Sequence, residues 1–173
     1  MTVEVFAADE QSGHAVDTLR WVRLARNVLE AQGVRGEAEL SLLFVDEKSM
    51  ADLNKRFAGK DGPTDVLAFP IDEEPVAGGR SPDSGGSGPL WAPVEPSELP
   101  TLLGDVVVCP AVAERNAADH AVSLDDEVAL LVVHGILHLM GMDHVDDEEA
   151  QAMEKREQEL LDRFHRTPAG EAT

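Results

Sequence analysis

Val3 and Val5 with Phe6 predict a short opening strand, and Leu19, Val22, Ala25, Val28 and Leu29 then recur at helical spacing up to a stop at Gly33. Leu40, Leu42 and Phe44 alternate with Glu39, Ser41 and Leu43, as in a mostly buried strand. Asp46 is the expected N-cap of a helix with Met50, Leu53 and Phe57 on one face and Gly59 at its end. After the turn residues Asp61, Gly62 and Pro63, Val66 to Phe69 is a third strand and Leu102 to Cys109 a fourth, with Pro110 in the first turn of the next helix. Ser123 with Asp126 three residues on starts the clearest helix, whose acids Asp125, Asp126 and Glu127 favour the positive end of its dipole. Leu130, Leu131, Val132, Val133, Ile136, Leu137 and Leu139 then cover every side, so this helix is expected at the centre, ending at Gly141. A last helix begins at Asp146 or Asp147 and carries Ala150, Met153, Leu160, Leu161 and Phe164 as an apolar stripe.

Seven of the ten prolines fall between residues 70 and 100, with five glycines and few aliphatics, a composition unable to pack a core. One domain over residues 1–166 is therefore expected, with an unordered insertion at 73–100 and a frayed tail at 167–173. The 173 residues carry 14 Lys+Arg against 34 Asp+Glu, a formal net charge of −20, which disfavours long-range attraction to nucleic acid. Cys109 stands alone, so no internal disulfide and no multi-cysteine zinc site is available, and a cytosolic setting is expected. The first thirty residues lack the basic start and apolar run of a secretory signal, and no stretch approaches the roughly 20 apolar residues that cross a bilayer.

Three of the six histidines, His134, His138 and His144, fall within eleven residues. Positions i and i+4 share a helix face, so His134 and His138 can meet one ion, and Gly141 permits the turn that returns His144 as a third ligand. Three neutral imidazoles suit one zinc and leave a tetrahedral position open for water. The alternative is ordinary core or surface histidines, which leaves two imidazoles desolvated inside an apolar helix unless each nitrogen finds a partner. His14, His120 and His165 lack such partners in the sequence and read as ordinary polar residues. The same spacing occurs in metzincin peptidases, but their general base, a Glu directly after the first histidine, is here Gly135. The nearest carboxylate is Asp143, a candidate catalytic residue or a turn former.

The block from His134 to His144 resembles the signature of the YbeY family of bacterial endoribonucleases, and further matches follow in family order. They are Glu39 to Leu42 with Val45 and Asp46, Leu53 with Asn54, Gly59 to Pro70, and Leu103 to Val106. The resemblance implies an α+β fold, a small mixed four-stranded sheet packed by about five helices, with zinc on the three histidines. It also implies cleavage of single-stranded RNA in 16S ribosomal RNA 3′-end maturation and ribosome quality control. The implied partners are ribosomal RNA, the small subunit or its proteins, and an Era-type GTPase. Arg56 and Lys60 lie, with Lys55, in the densest basic cluster, which reads either as a phosphate patch or as a solvated helix end. Thr64 and Asp65 join the cleft by resemblance, while turn chemistry after Pro63 accounts for them without function. The family commonly has arginine where this chain has Ala58. A non-catalytic, zinc-stabilised ribosome assembly factor and a metallopeptidase are the alternative readings.

Overall fold

The computed structural model describes residues 3–34, 37–70, 101–142 and 146–166. Its strands are β1 (Val3–Asp9), β2 (Ala38–Phe44), β3 (Val66–Pro70) and β4 (Thr101–Val108). Its helices are α1 (Thr18–Ala31), α2 (Glu47–Ala58), α3 (Pro110–His120), α4 (Leu124–Leu139) and α5 (Asp147–Phe164). The expected insertion at 73–100 and tail at 167–173 lie outside the described residues.

Short side chains set the helix starts. Asp46 accepts a hydrogen bond from the Ser49 amide at 2.8 Å, Ser123 from the Asp126 amide at 3.0 Å, and Asp146 from the Glu149 amide at 2.8 Å. Asp17, which the pattern does not single out, caps α1 in the same way through the Arg20 amide. Gly59 closes α2 in the left-handed conformation, at φ 70°. Two expectations need adjustment. β1 runs on to Asp9 because each of its residues pairs with one of β2, although Ala7, Ala8 and Asp9 favour strands poorly. Phe57 is largely exposed rather than aligned with buried Met50, and its ring meets Phe69 edge-on at 5.0 Å.

The sheet order is β1-β2-β4-β3, with β1, β2 and β4 parallel and β3 antiparallel to β4 at the edge. This is a mixed sheet in an α+β fold. Alternation divides each strand between two faces. Leu40, Leu42, Phe44, Val106 and Val108 join α1, α4 and α5 in the main core, while Leu43, Leu67, Phe69 and Val107 pack with Met50 and Leu53 of α2 on the other side. Leu103 is left unpaired where the β2–β4 register slips by one, and Gly104 follows at φ 133°. α4 is the central helix, with Val132, Val133, Ile136 and Leu137 fully buried. Gly135 lets it press on β4, since a Cβ at that position would stand 2.7 Å from Val106 Cγ1.

Candidate active site

α4 delivers two of the three expected metal ligands to one face. The rings of His134 and His138, one turn apart, stand 4.6 Å between centroids at 75° to each other, and both side chains are half-buried. They line a cleft of about 310 Å³ whose other wall is the edge strand, through Val66, Leu67, Ala68 and Pro70, with Gly135 between the histidines. At the end of α4 the Met142 amide donates to the Leu137 carbonyl and the Gly141 amide to the His138 carbonyl, with Gly141 at φ 95°. Gly141 thus adopts the left-handed conformation that the turn was expected to require of it. Asp143 and His144 lie outside the described residues, and among the described residues no three His, Cys, Asp or Glu side chains form a group able to hold a metal.

The sequence pattern does not single out Glu157. It lies on α5, is 7% exposed, and its Oε2 is 2.5 Å from His134 Nδ1. A carboxylate in the apolar stripe of Met153, Leu160 and Leu161 is itself a signal, because a buried charge without a partner costs several kcal/mol. Glu157, Glu154, Met153 and Ala150 form a smaller cleft on the other side of His134. The imidazole therefore stands in the partition between two concavities.

The four expected substrate-binding residues lie on or near the loop that leads into β3, and none is in the wall of the cleft. Buried Asn54 folds this loop back on α2: its side chain donates to the Gly62 carbonyl at 2.8 Å, and its carbonyl accepts from the Lys60 amide at 3.3 Å. Arg56 and Lys60 are exposed at the end of α2, where cations favour the negative helix terminus. Thr64 and Asp65 are half-buried, and Thr64 Oγ1 lies 3.4 Å from Asp65 Oδ1. The Asp65 carboxylate accepts from the Asn116 side chain of α3 at 3.0 Å, and its carbonyl accepts from the Cys109 amide. Asp65 thus joins the start of the cleft strand to α3, at its N-cap Cys109 and again at Asn116 in its second half.

The other described histidines each meet a carboxylate: His14 meets Glu114 and His165 meets Asp126, both distant in sequence, while His120 meets Glu127 across the turn between α3 and α4. The hydrogen bond from His120 to Glu127, reinforced by that carboxylate's charge, holds the His120 pKa above its ordinary value. A raised folded-state pKa stabilises fully below the unfolded value near 6.5, and that contribution fades as pH rises through the folded pKa. His120 is expected to titrate by NMR above the free-histidine midpoint. The stability lost in His120→Ala, measured in urea, is expected to be larger at pH 6 than at pH 9.

A family profile described as Endoribonuclease YbeY matches residues 6–165. Relatives named Endoribonuclease YbeY include one from Acidothermus cellulolyticus, 45% identical over 93% of this chain and 90% of its own length. Another, from Thermobifida fusca, is 44% identical over 91% and 92%, and a third, from Mycolicibacterium smegmatis, is 41% identical over 95% and 83%. The solution structure of TM1509 from Thermotoga maritima superposes with a TM-score of 0.55 at 24% identity, covering 98% of this chain and 96% of that one, a likeness of fold alone. With a profile spanning nearly the whole chain and full-length relatives above 40% identity, this protein belongs to the YbeY endoribonuclease family.

Proposed function

We propose that this protein is a zinc-dependent endoribonuclease that cleaves single-stranded RNA in 16S ribosomal RNA 3′-end maturation and ribosome quality control. The observation that carries the reading is the pair His134 and His138, one turn apart on a cleft walled by an edge strand. Two imidazoles in this arrangement, one held through Nδ1 by a buried carboxylate, are a donor set suited to zinc, with His144 as the third ligand. Zinc bound there would supply Lewis acidity at the phosphoryl oxygen and a water of lowered pKa.

The chain's own side chains do the rest. Arg56 and Lys60 hold the RNA backbone near the cleft by charge, within a protein that otherwise repels it. Thr64 and Asp65 position the strand that forms the wall, and Asp143 orients a ligand or takes a proton from the attacking group. Attack by water leaves a linear phosphate, whereas attack by the neighbouring ribose 2′-OH leaves a cyclic one, so the products identify the nucleophile. A peptidase is disfavoured because the place of its general base is taken by Gly135, where a Cβ would stand 2.7 Å from Val106 Cγ1.

The test is incubation of zinc-loaded protein with labelled single-stranded and duplex ribosomal RNA, before and after chelation. A nick confined to the single strand, lost with the metal and restored by its return, is expected. Equal cutting of both, or cutting that chelation does not touch, would overturn the reading. A net charge of −20 further favours delivery by a ribosomal partner, such as small-subunit proteins or an Era-type GTPase. Cleavage on ribosomal particles is then faster than on naked RNA.

A further inference from the structure

Glu157 occupies a position that packing alone would give to an apolar residue. It sits four residues after Met153 and three before Leu160, both essentially buried, and is itself 7% exposed. Burying a carboxylate beside an imidazole seldom stabilises a fold more than a well-packed hydrophobic residue would. Its cost therefore points to a role at the other end of the hydrogen bond.

That end is His134 Nδ1, 2.5 Å away, on a ring whose centroid stands 4.6 Å from that of His138. A carboxylate at this distance is an acceptor for an Nδ1–H donor, an arrangement in which a metal would meet the ring through Nε2. We propose that Glu157 is a positioning residue of the metal centre, holding His134 in its Nδ1–H tautomer and in a fixed orientation so that Nε2 is presented to the ion. The inference rests on the zinc reading above and assigns a role to a residue on a different helix from the ligands. Glu154, which shares the smaller cleft, is exposed and does not contact the ring in this way.

The experiment uses the full chain with Glu157→Ala and Glu157→Gln. Zinc affinity is measured by competition with a chromophoric chelator, and the ring tautomer by long-range 15N–1H NMR of the metal-free protein at pH 8. Glutamine keeps the volume and an acceptor oxygen, so it reports even if the alanine variant does not fold. The expected result is an Nδ1–H tautomer in wild type and in Glu157→Gln and its loss in Glu157→Ala. Zinc affinity is expected to fall by roughly 10–100-fold in Glu157→Ala and by less in Glu157→Gln. A purely structural tie between α4 and α5 would lower the melting temperature without moving the tautomer. Wild-type protein that binds zinc, with a folded Glu157→Ala protein within twofold of its affinity, overturns the inference alone. So does an Nε2–H tautomer in wild type. Wild-type protein that binds no zinc at micromolar concentration overturns the reading beneath it instead.

Discussion

His138→Ala is expected to fold like the wild type and to cleave single-stranded RNA on the order of 10³-fold more slowly. The magnitude follows if the proposed zinc supplies several kcal/mol of charge stabilisation, at about 1.4 kcal/mol per tenfold in rate. The fold should persist because His138 is half-buried at the cleft rather than sealed in the core, which is built from Val132, Val133, Ile136 and Leu137 of the same helix. Far-UV circular dichroism checks the fold, bound zinc per chain checks the site, and single-turnover cleavage of a labelled strand checks the rate. Wild-type cutting by a zinc-free His138→Ala protein would sink the metal mechanism.

Gly104→Ala is the substitution expected to damage the fold most. An ideal Cβ at this position would lie 2.3 Å from the Phe69 carbonyl oxygen and 2.9 Å from Pro70 Cα, both backbone atoms of β3. The backbone there sits at φ 133°, which residues bearing a Cβ rarely adopt, and the adjoining bulge at Leu103 fixes it in place. Strain and overpacking together are expected to cost about 3 kcal/mol, or roughly 6–12 °C in melting temperature for a chain of this length. Since Pro70 also walls the cleft, RNA cleavage should fall along with stability. A melting temperature within 2 °C of wild type, on the scale of roughly 2–4 °C per kcal/mol, would show that β3 gives way at no cost.

What was legible in the sequence was local. Asp46, Ser123 and Asp146 announce helix starts because the capping oxygen and the amide it satisfies are three residues apart. Leu40, Leu42 and Phe44 announce a strand because burial alternates with the pleat. The sheet order was not legible in this way, since period two assigns faces and not neighbours. The slip at Leu103 depends on which residue of β2 lies opposite. In the site, the helical spacing of His134 and His138 carried their juxtaposition. The partner of His134 lies 23 positions away on another helix, and only a carboxylate out of place in an apolar stripe hinted at it. Asp65 was readable as a turn residue but not as the acceptor of Asn116, because that bond exists only once α3 has docked.

The capping that sets the helix starts also limits where along this fold a phosphate can be gripped by backbone amides. α1, α2, α4 and α5 each have a first-turn amide occupied by the chain's own side chain, and α2, α4 and α5 add acids there. Those four ends, which in many proteins grip phosphate, are thereby withdrawn from that use. The described helix whose first turn is left without a side-chain cap is α3, behind Cys109, so a phosphate held at a helix start would fall to it, and elsewhere to side-chain cations such as Arg56 and Lys60.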